Sequence, residues 1–249
     1  MDARFEFLTR MGDTCLVLSQ RVSAWCGHAP AIEEDIAMAN MALDLLGQAQ
    51  LWLSLAGEHE GKGRSADDLA YHRDVWDFRN LLLCERPNGD YGQTLMRQFL
   101  FDAWHHLMLD ELSRSSDKRI AEIAAKGSRE VAYHIERSRD LVIRLGDGTP
   151  ESKARMQAAL NDLWPYAGEM FADDMVDTAL AKDAIAPLPS SLREGWNAIV
   201  ASTLREAGLE RPQDDFAQLG GKTGKHSEHL GYILAEMQFL QRSYPGATW

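Results

Sequence analysis

The chain has 249 residues, 45% of them hydrophobic, and a formal charge of −12 at pH 7. Its length and apolar share suit one helical domain over residues 1–249 with a sizeable core. The acidic balance, with no large basic cluster, argues against nucleic-acid binding. No uncharged apolar run reaches the roughly 18 residues of a membrane span, and no secretory h-region opens the chain. A soluble, cytoplasmic protein is therefore expected.

In chain order, Pro30 followed by Glu33, Glu34 and Asp35 reads as a helix start, since proline suits the first turn and carboxylates complement its dipole. Ile32, Ile36, Leu43 and Leu46 mark an apolar stripe at helical spacing, and this helix should end near Gly57. Ser65, with Asp67 and Asp68, reads as the next N-cap. Pro87-Asn88-Gly89-Asp90 is a turn. Long helical patterns run from Tyr91 to Ser113 and from about Asp117 to Leu145, the second stopping at Gly146-Asp147-Gly148-Thr149-Pro150. Pro165 predicts a kink or break, and Ala186-Pro187-Leu188-Pro189 a linker. Ser190 should cap a helix through about Ala207. A loop from Gly220 to Gly224 precedes a last helix ending near Tyr244. Period-2 strands and internal repeats are absent, so the pattern predicts an all-α bundle.

A bundle interior can hold a di-iron centre, whose sequence sign is Glu-x-x-His on two helices, because i and i+3 share a face. None of the eight histidines has a glutamate three residues before it. Two nearer arrangements remain: Asp102 with His105, and Glu130 with His134. Together they define an alternative reading, an autonomous di-iron oxidase or hydroxylase. Gly221-Lys222-Thr223 resembles the end of a P-loop, but Phe216 stands where that motif needs glycine. His226 and His229 share a helical face without a third ligand and read as a polar contact surface. Cys15, Cys26 and Cys84 form no Cys-x-x-Cys pair and are expected as reduced, buried thiols. The seven tryptophans are expected as core and interface anchors.

Gly12-Asp13-Thr14-Cys15-Leu16-Val17-Leu18-Ser19-Gln20-Arg21 and Trp25-Cys26-Gly27-His28-Ala29-Pro30 closely resemble the PaaC family. So do Asp44-Leu45-Leu46-Gly47-Gln48-Ala49, Asn80-Leu81-Leu82-Leu83 and Phe101-Asp102-Ala103-Trp104-His105. Near the end, Gly220-Gly221-Lys222, His226-Ser227-Glu228-His229-Leu230-Gly231 and Leu234-Ala235-Glu236-Met237-Gln238 extend the match.

The resemblance implies a ferritin-like, four-helix-bundle fold with flanking helices. It also implies a role as the structural, non-catalytic subunit of the phenylacetyl-CoA 1,2-epoxidase, a monooxygenase complex of aerobic phenylacetate catabolism. The expected partner is a homologous catalytic subunit in a hetero-oligomer. That subunit would carry the di-iron, and a reductase the FAD and iron–sulfur, with no cofactor in this chain. Laid on this sequence, the catalytic subunit's ligand pattern falls on Gln20, Leu45, Gln48, Asp102, Val131 and His134. Of these, only Asp102 and His134 keep ligand character. Lys222, Lys225, His226, Glu228 and His229 are the expected contacts to the partner or to its CoA ester.

Overall fold

The structure, a computed structural model, describes residues 2–213 and 216–247. Among these residues there is no strand. The helices are α1 (Ala3–Ser23), α2 (Ile32–Glu60), α3 (Ala66–Tyr71), α4 (Leu82–Glu85), α5 (Tyr91–Leu112) and α6 (Lys118–Gly146). They continue with α7 (Pro150–Ala167), α8 (Met175–Lys182), α9 (Arg193–Glu206), α10 (Glu228–Met237) and α11 (Phe239–Ser243). Packing divides the chain into two compact units, Met1–Pro87 with Gly220–Trp249, and Asn88–Leu219.

The first unit is organised around α1, which Asp2 caps by accepting from the Arg4 and Phe5 amides. From Glu6 to Ser19 every residue of α1 is buried, because α2, α4 and α10 all pack against it. α1 and α2 run antiparallel: Asp2 meets His59, and Gly12 meets Leu53 further along. Buried polar groups on α1 are matched from outside it. The Asp13 carboxylate takes a two-pronged contact from the Arg73 guanidinium and a 2.9 Å bond from the Arg79 amide. Arg79 Nε donates to Glu6 at 2.6 Å, and Arg73 lies over the Phe78 ring at 4.4 Å. These contacts tie the segment after α3 to the central helix.

The second unit is built on α5, which Asp90 caps through the Gln93 amide and which is buried continuously from Thr94 to His105. α6, α7 and α9 pack on it. α6 is strongly two-faced: Ile120, Ala124, Gly127, Val131, His134, Ser138 and Val142 are buried at three- and four-residue spacing. Trp196 Nε1 donates to the Leu100 carbonyl at 3.0 Å, anchoring α9 to α5.

Several boundaries differ from the sequence expectations. α2 starts at Ile32 and runs past Gly57 to a left-handed Gly61. Pro165 does not break its helix; it sits in the last turn of α7, where its carbonyl accepts from the Gln218 amide at 2.8 Å. Ser190 does not cap α9 but bonds the Asp173 carboxylate from a short 3-10 turn that precedes that helix. The last helix is two, with the turn at Gln238. Cys15 and Cys84 are buried as expected, whereas Cys26 is exposed on the α1–α2 loop. Trp52, Trp104, Trp164 and Trp196 are core residues and Trp76 is exposed; Trp249 lies outside the described residues. The Ile32–Leu46 stripe does form one face of α2, but all four side chains are exposed.

A Cβ on Gly57 would lie 2.1 Å from the Arg64 carbonyl oxygen, so the chain can fold back past the end of α2 only over a glycine. Gly57→Ala should cost about 1–3 kcal/mol by forcing the backbone apart, despite alanine's better helix propensity. Thermal melts check this, and a raised Tm would contradict it.

Candidate functional site

Five buried polar residues of the second unit lie on α5 and α6. Gln98, Asp102 and His105 recur along α5, while His134 and Ser138 face them from α6; all five are fully buried. Asp102 accepts from Gln98 Nε2 at 2.7 Å and from Ser138 Oγ at 2.9 Å. Its bonds therefore come from an amide and a hydroxyl, not from His105 three residues on. His105 lies among aromatic neighbours instead, 4.8 Å from the Phe101 ring and stacked at 6.0 Å on Trp104.

Burial governs the titration of both groups. It raises Asp102 to about 6, against the opposing pull of His134, the Ser138 and Gln98 bonds, and Arg137. It lowers His105 to about 3, helped by the nearby His134 and His106. A carboxyl sealed from solvent, with a proton held near neutrality, can stabilise or strain the α5–α6 contact.

Among the described residues, no group of three or more His, Cys, Asp or Glu side chains is placed to hold a metal ion. Asp102, His105, Glu130 and His134, the set of the alternative reading, do not assemble into one; Glu130 is only half-buried at the flank of α6. Of the other family-implied positions, Leu45 and Gln48 are buried on α2, Gln20 is half-buried near the end of α1, and Val131 is fully buried on α6.

The Gly220–Gly224 loop is braced within the first unit. A Cβ on Gly221 would lie 2.1 Å from the Asn80 carbonyl oxygen, and Gly224 takes a left-handed φ of 81°. His226, expected to face a partner, turns inward with its side chain 1% exposed. Its Nε2 donates to the Phe78 carbonyl at 2.9 Å, and its Nδ1 lies 3.2 Å from buried Glu85. Glu85 also accepts from the Ser227 amide at 2.8 Å. Satisfying both ring nitrogens internally removes His226 from the contact surface. Lys225 and Glu228 are exposed, and Lys222 and His229 are half-exposed.

Residues 1–249 match the model of the family described as phenylacetic acid catabolic protein. This chain belongs to that family. It is also 49% identical, over the full length of both chains, to the C subunit of the 1,2-phenylacetyl-CoA epoxidase of Escherichia coli (strain K12). The expected all-α, ferritin-like fold class is the one this family has. No helix among the described residues is long and apolar enough to cross a membrane. Two features escaped sequence reasoning: Ser138 and Gln98 as the partners of Asp102, and Glu85 as the partner of His226. Only the i, i+4 spacing of Gln98 to Asp102 hinted at either.

Asp102 and His105 act on stability with opposite sign. With its folded value raised from 3.8, Asp102 stabilises fully below pH about 4, and that contribution is lost as pH rises through about 6. With its folded value lowered from 6.5, His105 stabilises above that pH and loses this as pH falls toward about 3. Asp102→Asn keeps the shape, and Gln98 and Ser138 can reorient to suit the amide. At roughly 1.4 kcal/mol per pKa unit, the variant should exceed the parent by about 3 kcal/mol at most above pH 6.5. The two should converge near pH 4. Melts from pH 4 to 8 test it, and an offset independent of pH would contradict it.

Proposed function

We propose that this chain is the non-catalytic structural subunit of a multicomponent bacterial oxygenase that epoxidises the ring of phenylacetyl-CoA. In this reading residues 1–249 act as one ferritin-like domain in the cytoplasm. They pair with a homologous catalytic subunit that carries the di-iron, while a reductase with FAD and iron–sulfur supplies electrons. The full-length likeness to one subunit of an epoxidase supports the assignment to such a complex. The observation that carries the non-catalytic role is the α5–α6 cluster, where Asp102 is the single carboxylate and is satisfied by neutral donors.

Two ferrous ions need several anionic oxygen ligands to offset four positive charges in a low-dielectric interior. At the family's ligand positions this chain offers Asp102 and His134, two amides in Gln20 and Gln48, and two hydrocarbons in Leu45 and Val131. That donor set does not fit the group. The protein expressed in iron-replete medium should carry well below one iron per chain when each subunit of the complex is assayed separately. Stoichiometric iron with a di-iron absorption or Mössbauer signature would overturn the reading.

The same reading assigns Lys222 and Lys225 to the phosphates of the CoA ester or to the partner beside it. Two lysines next to glycines can approach an anion closely, and the loop that bears them is braced from behind by Gly221 and His226. Glu228 and His229, just beyond, would lie at the edge of that contact. Replacing Lys222 and Lys225 together by Glu should weaken assembly or CoA-ester binding by about tenfold. Unchanged assembly and unchanged affinity in a titration would end this assignment.

A further inference from the structure

Where α7 ends, the second unit gathers aromatic side chains around an unfilled space. Trp164 on α7, Phe171 just beyond it and Trp196 on α9 are all buried. The two tryptophan rings lie 5.5 Å apart at 39°, and Phe171 lies 5.2 Å from Trp196 at 60°. Together they line a cavity of about 180 Å³. Aromatic clusters in protein cores are close-packed, whereas a cavity of roughly 150 Å³ already holds benzene.

The strap from Phe216 to Gln218 supplies another part of the lining. The Gln218 amide donates to the Pro165 carbonyl at 2.8 Å. Ala217 lies so close to Gly168 that a Cβ on the glycine would come within 2.5 Å of the alanine's own. The strap is thus pinned to the end of α7, and Phe216, an exposed ring, is held against the cavity.

Among the described residues one charged side chain lines the space, the exposed Arg193. Its guanidinium lies over the Phe171 ring at 4.8 Å and makes no side-chain hydrogen bond or ion pair. A guanidinium stacked in this way keeps its N–H donors in its own plane, free for an acceptor beside the ring. Asp173, the acid closest after Phe171 in sequence, is already bonded by the Ser190 amide and hydroxyl. Aromatic boxes also attract organic cations, but Arg193 repels them here. The volume admits one six-membered ring with a short arm and falls below that of a site for a drug-sized ligand.

We propose that this cavity binds a monocyclic aromatic carboxylate. The ring enters among Trp164, Phe171, Trp196 and Phe216, and the carboxylate meets Arg193. Phenylacetate, the free acid for which the family is described, has this composition and serves as the probe. The site lies within the second unit and does not depend on the reading of the chain as a subunit.

Isothermal titration of the full chain with phenylacetate should give one site with Kd of about 1 mM or below. Phenylacetamide, which keeps the ring and loses the charge, should bind about fivefold more weakly. Arg193→Gln should weaken the acid by about fivefold and leave the amide unchanged. Phe216→Ala should weaken both by about threefold or more. Both side chains are exposed, so the melts of these variants should match the parent's. Arg205→Gln, at another exposed arginine of α9, should change nothing. A Kd above about 1 mM for phenylacetate would overturn the site. Equal affinity for acid and amide would overturn the carboxylate, and equal affinity for cyclohexylacetate would overturn the aromatic ring. Binding that neither Arg193→Gln nor Phe216→Ala alters would place the acid elsewhere and refute the inference.

Discussion

Asp13 has no exposure to solvent, and its charge is held by the Arg73 guanidinium and the Arg79 amide. Breaking such a buried pair by removing one member typically costs about 3–5 kcal/mol, because the survivor is left charged and dry. Much of the first unit hangs on this contact. It fixes the irregular chain after α3 against α1. That chain presents the Phe78 and Asn80 carbonyls, on which His226 and Gly221 are laid. The loop bearing Lys222 and Lys225 thus depends both on its own Gly221, Gly224 and His226 and on the segment that the Asp13–Arg73 pair holds in place.

Among the described residues three acids are buried without exposure, Asp13, Glu85 and Asp102, and each is satisfied differently. Asp13 meets a guanidinium. Glu85 meets an imidazole and a backbone amide. Asp102 meets only an amide and a hydroxyl at hydrogen-bond distance. The raised titration of Asp102 follows from that weakness: neutral donors offset desolvation less than a bonded cation does. Through Ser138, Asp102 also links α5 to α6.

Much of the fold was legible because its signals are local. Asp90 and Asp117 cap the helices they precede, Pro150 opens α7, and Ser65 forms a capping box with Asp68, all readable over a few residues. α1 was less legible because it is buried on every side, which erases the periodicity that marks a two-faced helix. The partners in the buried sites were not legible at all. His226 and Glu85 are 141 residues apart, and no spacing rule connects them. Ser190 has the composition of a cap, yet Asp173 competes for its hydroxyl and amide. The family resemblance reached further than periodicity did, since it ties whole strings to a fold.

The Ile32–Leu46 stripe marks where periodicity stops. A four-turn apolar stripe says that a helix has a face to bury, and says nothing about which molecule buries it. In α2 the other side, with Met38, Met41, Leu45, Gln48 and Trp52, already packs inside the first unit. The helix is therefore apolar on two sides, a pattern that a monomer surface does not require. Leu45 and Leu46 are neighbours in sequence that divide this work: one fully buried, the other at the mouth of an open cavity. In the catalytic pattern, position 45 would carry a glutamate. With leucine there, fully buried, the inner face of α2 brings a hydrocarbon rather than a charge into the core at that position.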